Sequence, residues 1–172
     1  MVLLYYDLAG IAPPFDTWIE SDSRVQMARP PDKAAQRAAV RAELEATAAA
    51  VRNVGFVRLS MNADLSEYDP TYEEFVVRAL APSSMVSFDA LGQKVSMKFG
   101  NGRTAQIWRV PAGEAQAVRD KVQFNSVSLD LRVAVTGVQP APRGGTLTAD
   151  VIEYEMRETR GGTPLGRYPS VH

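Results

Sequence analysis

Apolar and polar positions alternate most regularly in Val127–Thr136. There Val127, Leu129, Leu131, Val133 and Val135 are apolar, while Ser128, Asp130, Arg132 and Thr136 are polar. A period of two puts one set on each face of a strand, so this stretch predicts a long strand with one wet face. The Pro/Gly-rich connection 137–145 follows, and its length predicts more than a two-residue turn. The return strand starts in odd phase with Leu147, Ala149 and Val151 and continues in even phase with Ile152, Tyr154 and Met156. A slip of one residue turns every side chain to the other face, so a bulge or bend is predicted near Val151–Ile152.

Elsewhere the period changes. Pro30–Asn53 predicts a helix, with Asp32 able to cap its first turn and Val40, Leu44, Ala48 and Val51 forming a narrow apolar stripe that packs on a sheet. Before it, Val2–Tyr5 predicts a short buried strand or a helix start, and Phe15, Trp18 and Ile19 fall on one side of a short helix. After it, Val57, Leu59 and Met61 predict a half-buried strand, Phe75–Leu80 reads as a strand or a helix end with the strand preferred for Val76 and Val77, and Met85–Phe88 predicts another short strand. Val95, Met97 and Phe99, a turn at Gly100–Gly102 and a return over Ala105–Val110 predict a β-hairpin. Pro111 opens a second short helix with Ala115, Val118 and Val122 on one face, and Leu165–Tyr168 predicts a last strand. Strands in runs with helices set apart predict an α+β fold: a long N-terminal helix packed on a curved antiparallel β-sheet with a second short helix. The division expected is an N-terminal arm and long helix over residues 1–53 and a sheet domain over 54–172, together one compact unit.

Composition narrows the chemistry. The chain of 172 residues contains no cysteine, which excludes disulfides, thiolate metal sites and cysteine nucleophiles. A formal net charge of −1 with interspersed signs argues against nucleic-acid binding, which calls for a basic patch. No run has the ~18 apolar residues of a membrane-spanning helix. Met1–Leu8 is apolar but lacks a preceding basic residue and a long hydrophobic region, so it does not read as a signal peptide as it stands.

The only histidine is His172, which leaves no Ser-His-Asp triad and no histidine-ligated zinc site to expect. The densest group of oxygen donors is 62–74. Asn62, Asp64, Ser66 and Glu73 have calcium-loop spacing, but Glu67 stands where such a loop needs glycine and Pro70 occupies a ligand position. Side-chain-to-backbone turns explain the segment better, and no metal, cofactor or catalytic residue is expected. The ligand-binding candidates are Asp64, Glu67, Tyr68, Asp69 and Trp108. A carboxylate-based hydrolase using loop 62–74 is the competing expectation, requiring two carboxyls at a set separation.

Three segments, Ala63–Asp69 (ADLSEYD), Ala105–Pro111 (AQIWRVP) and Val127–Pro140 (VSLDLRVAVTGVQP), resemble exported proteobacterial proteins of unknown function, a likeness covering about residues 56–157. The resemblance implies a periplasmic setting if a leader was removed, otherwise a cytoplasmic one, and implies no activity or catalytic residue. The function expected is therefore a non-catalytic binding or interaction module of the bacterial envelope. Its partner would be a protein or peptide, or a second copy of the chain, joined through an edge strand.

Overall fold

The computed structural model describes residues 1–168. The chain opens with three short helices, α1 (Val2–Ala9), α2 (Phe15–Ser21) and α3 (Ser23–Met27), before the longer α4 (Lys33–Ala50). Then come β1 (Phe56–Asp64), β2 (Glu74–Val76), β3 (Met85–Ala90), β4 (Gln93–Phe99), the single turn α5 (Gly102–Ala105) and β5 (Ile107–Arg109). The rest is α6 (Ala112–Lys121), β6 (Ser126–Ala141), β7 (Gly144–Glu158) and β8 (Pro164–Tyr168). About 36% of residues are helical and 40% are in strands, an α+β protein. Among the described residues no helix is long and apolar enough to cross a membrane.

Two compact units divide the chain. Of the described residues, one holds 1–54, 87–96 and 138–146; the other holds 55–86, 97–137 and 147–168. In the first, α1 is apolar but for the exposed Asp7 and buries Val2 through Tyr6. Tyr6 meets the Trp18 ring edge-on at 5.4 Å and donates its hydroxyl to Gln93 Oε1 at 3.2 Å. Although the first helix of the chain has only 8 residues, the helix expected over Pro30–Asn53 is present as α4. Its stripe meets other helices: Val40 packs with Ile19 and Val25, and Leu44 and Phe15 join them. A stripe of side chains as narrow as this fits between short helices and needs no sheet. Asp32 makes no capping bond, because it already has helical dihedrals (φ −91°, ψ −14°) where a cap needs extended ones. Asp22 is extended (φ −68°, ψ 130°) and does cap, accepting the Arg24 amide at 2.8 Å. The helices are also tied by charge. Glu20 accepts Arg37 at 2.7 and 3.0 Å, and Glu43 accepts Arg24 at 2.9 and 2.8 Å. These hydrogen bonds hold both carboxyls below their ordinary range. Glu43 and Arg37 of α4 thus bridge it to α3 and α2.

Strands β1-β6-β7-β4-β3 lie in that order in one sheet, with β8 also paired to β7; β2 and β5 form a separate two-stranded sheet. β1 is antiparallel to β6 and β8 to β7. The Lys94 amide donates to the Arg143 carbonyl (3.0 Å) and the Gly100 amide to the Ala149 carbonyl (2.9 Å). The numbers rise together, so β4 runs parallel to β7 and the sheet is mixed, not antiparallel throughout. Two turn expectations fail with it. Strands β6 and β7 extend through the Pro/Gly connection and leave only Pro142 and Arg143 between them. Proline fixes a negative φ and Arg143 adopts φ 61°, the φ pattern of a type II turn. Gly144 follows at φ 143°, where an added Cβ would lie 1.8 Å from the Lys94 carbonyl oxygen. The hairpin expected over Val95–Val110 is absent as well: β4 is already bonded on both edges, and Trp108 pairs with Phe75 of β2. The hairpin that forms joins β3 to β4 through Leu91 (φ 55°) and Gly92 (φ 68°), two consecutive positive φ values as in a type I′ turn.

The phase change in β7 is present. Leu147, Ala149 and Val151 are buried, then Tyr154 and Met156, with Ile152 only half-buried. At the switch, Asn101 replaces the missing continuation of β4. Its side-chain NH2 donates to the Val151 carbonyl (2.9 Å) and its Oδ1 accepts the Val151 amide (2.8 Å). Beyond it β8 takes over, pairing Tyr154 with Tyr168, whose rings stack at 5.0 Å and 7°.

Asn101→Ala leaves both peptide groups of buried Val151 unpaired and is expected to lower the unfolding free energy by about 3 kcal/mol, read by urea denaturation. Burial, and then the charge of Tyr168, raises the Tyr154 phenol above its ordinary value of 10.0. An unfolded chain then loses this proton near pH 10 while the folded one keeps it, so the stability is complete below that pH and falls as pH rises above it. The Tyr154 hydroxyl is buried without a hydrogen-bond partner among the described residues. Tyr154→Phe is therefore expected to leave stability at pH 7 unchanged or higher and to reduce the loss at pH ~11, measured in parallel denaturant titrations.

Candidate functional site: a charged groove beside an edge strand

Alternation places the even-numbered residues of β1 and β6 together on one face. The register pairs Arg58 with Arg132 and Ser60 with Asp130. On β7 the phase change brings Glu153 and Glu155 into play, and β8 adds Arg167. These side chains, with Tyr168, line an open groove of about 800 Å³.

Most of its charges are matched. Ser60 donates to Asp130 at 2.6 Å, Arg132 lies 3.4 Å from Glu153, and Arg167 lies 3.5 Å from Glu155. Arg157 reaches Glu155 at 2.9 Å and Asp130 at 3.7 Å. The Arg132 guanidinium also lies over the Phe56 ring, 4.8 Å from its centroid. Exposed pairs of this kind contribute about 0–1 kcal/mol each, so the network organises the surface more than it stabilises the fold. Arg58 differs: among the described residues it has no acidic partner, and another arginine stands directly across from it.

β1 is also an edge. The Gly55 carbonyl accepts the Val135 amide (3.0 Å) and the Leu65 amide donates to Asn125 (2.8 Å), so odd-numbered residues make the ladder to β6. The backbone groups of Phe56, Arg58 and Ser60 therefore point away from β6, where the sheet has no further strand; the turn Arg78–Leu80 packs against β1 beside the Leu65↔Val77 bridge. Just past the strand, the same outer edge is used within the chain, where the Ser66 amide donates to the Val76 carbonyl at 2.9 Å.

The candidates from sequence lie elsewhere in this unit. Asp64 ends β1, exposed, and Glu67 is exposed with its carboxylate 3.5 Å from the Asn125 amide. Tyr68 donates its hydroxyl to the Val110 carbonyl at 2.8 Å, and its ring lies 5.0 Å from that of Phe75. Phe75 in turn stacks on Trp108 at 5.6 Å, so Tyr68 and Trp108 flank one packed ring. Trp108 is buried, and a Cβ at Gly166 would lie 2.6 Å from its indole. Asp69 accepts the Thr71 and Tyr72 amides at 2.8 and 3.3 Å, an Asx turn. None of the five lines the groove. Among the described residues no group of three or more acidic or histidine side chains is gathered as for a metal, and His172 lies outside them. The groove residues Arg58, Ser60, Asp130 and Arg132 were visible in the sequence as polar alternates, but their proximity comes from the register of β1 on β6.

Comparison of the chain with protein-family models, curated proteins and solved structures gave no match.

Like charges directly opposite on a sheet are destabilising. Arg58→Glu turns that pair into an opposite-charge pair and is expected to raise the unfolding free energy by about 0.5 kcal/mol at low salt, the gain shrinking as salt is added. Denaturant titrations at two ionic strengths measure it.

Proposed function

We propose that this protein is a non-catalytic binding module that accepts an extended peptide by strand addition along β1, beside the charged groove. The carrying observation is the free outer edge of β1 at Phe56, Arg58 and Ser60. Main-chain hydrogen bonds supply affinity in this mode, and the side chains on the adjoining face supply selectivity. Exposed edges are normally blunted by prolines, bulges or shortness. β1 contains no proline and keeps unbroken register from Phe56↔Ala134 to Asp64↔Ser126; the turn Arg78–Leu80 packs against it beside the Leu65↔Val77 bridge, which leaves the free edge at Phe56, Arg58 and Ser60. The intrachain bond from Ser66 to Val76 supports the reading, since an extended segment already uses that edge one step further on.

A carboxylate hydrolase built on 62–74 has less support, because Asp69 is committed to its turn and Asp64 and Glu67 are exposed outside the groove. The envelope setting is part of the proposal and rests on the resemblance of Ala63–Asp69, Ala105–Pro111 and Val127–Pro140 alone; a cytoplasmic pool after cell fractionation would remove it.

The binding reading is tested with a pool of random decapeptides and amide hydrogen exchange. The amides of Phe56, Arg58 and Ser60 are expected to exchange quickly in the free protein and to become protected by selected peptides. Ser60→Pro removes one outward donor while sparing the ladder to β6, and is expected to abolish binding with the circular dichroism spectrum unchanged. Selected peptides that leave these amides unprotected would refute strand addition. Protection that grows with protein concentration alone would show that the occupant is a second copy of the chain.

A further inference from the structure

From the cross-strand register we infer that Arg58 and Arg132 form a carboxylate subsite that selects an acidic residue in the added peptide; this rests on the strand-addition reading above. The backbone groups of Arg58 face outward, so its pairing with Arg132 is of the non-hydrogen-bonded kind, in which Cα atoms approach to about 4.5 Å and side chains lie closest. Two guanidiniums there repel unless an anion joins them. Arg132 is partly satisfied by Glu153 at 3.4 Å and by the Phe56 ring at 4.8 Å. Arg58 is satisfied by nothing acidic among the described residues, although the groove holds Asp130, Glu153 and Glu155. Those carboxylates lie inward, on the strands beyond β1, and are held by Arg132, Arg157, Arg167 and Ser60. The uncompensated positive charge therefore lies at the edge itself.

An incoming strand that bonds to the outward groups of Arg58 places one of its own residues directly opposite, with Cα atoms about 5.5 Å apart and side chains on the same face. A glutamate or aspartate there completes an Arg132–Arg58–carboxylate row, and guanidinium forks bind carboxylates in two-point geometry. Two positions along β1, Phe56 is 55% exposed and offers a ring to an apolar residue of the same peptide. The ligand class is an extended segment with an acidic residue and, two positions from it, an apolar one.

The test uses three fluorescently labelled decapeptides of β-forming residues, identical except for a central glutamate, glutamine or lysine, each with phenylalanine two positions away. Fluorescence anisotropy is expected to show the glutamate peptide binding about fivefold tighter than the glutamine one, with lysine weakest, and the difference fading in ~0.5 M salt. Arg58→Glu is expected to reverse the order in favour of lysine, and Arg58→Gln to level it, each with an unchanged circular dichroism spectrum. Equal binding of glutamate and glutamine peptides with protected β1 amides would overturn the subsite and leave strand addition standing. A glutamate preference that survives Arg58→Glu would also overturn it. Failure of all three peptides to bind or to protect the β1 amides, with no binder from the random pool either, would overturn strand addition and the subsite together.

Discussion

Strand β7 must serve different neighbours on one edge along its length, and the structure depends on how it does so. Beside β4 it buries Leu147, Ala149 and Val151; beside β8 it buries Tyr154 and Met156. A strict period of two cannot satisfy both sets, because it would turn Tyr154 and Met156 to the opposite face. The irregularity that solves this would leave the peptide groups of Val151 without a strand partner once β4 has ended. Asn101 supplies a carboxamide in place of the missing backbone, donating and accepting at 2.9 and 2.8 Å. The same shift puts Glu153 and Glu155 where they meet Arg132 and Arg167. The groove is thus a consequence of the core's packing problem.

In the first unit the limiting factor is apolar area. The 18-residue α4 fully buries only Val40, and α2 and α3 are one or two turns long. Helices so short have little intrinsic stability in water. They are held by the cluster of Ile19, Val25 and Val40 and by arginine–carboxylate bridges of paired hydrogen bonds from α4 to α2 and α3. The ion pairs are exposed, so their part is to set orientation, while the burial of α1 with Trp18 and Ile19 supplies most of the driving force.

What could be read from the sequence divides along local and non-local lines. The wet-faced strand at Val127–Val135 and the phase change after Val151 were legible, because each is a property of consecutive side chains. The turns were not. Leu91 and Arg143 adopt positive φ without being glycine, asparagine or aspartate, whereas the conspicuous Gly100-Asn101-Gly102 makes no hairpin. Asn101 there is spent on Val151, and Gly102 lies where a Cβ would be 2.5 Å from the Leu80 carbonyl oxygen. Strand direction was equally hidden, since the parallel pairing of β4 with β7 joins segments some fifty residues apart. For the site, Asp69 and Trp108 stood out by residue type; the structure places Asp69 in a turn and Trp108 against Phe75, both outside the groove. Arg58 looked like an ordinary polar alternate until the register set it against Arg132.

That arginine pair and the bare edge next to it share a physical logic. A sequence optimised only for folding would place opposite charges across β1 and β6, as it does across β6 and β7 at Arg132 with Glu153, and would blunt the outer strand with a proline or a bulge. β1 does neither. Local choices that oppose stability without a compensating contact are expected where a surface is kept for another purpose. Here the two departures lie on one residue: Arg58 carries the unmatched charge, and its own amide and carbonyl are among the unpaired backbone groups. A single extended ligand would satisfy both at once, giving the backbone its ladder and the guanidinium its carboxylate. A free anion would answer only the charge, and a neutral strand only the edge. The coincidence of the two needs is what points to a peptide with an acidic side chain.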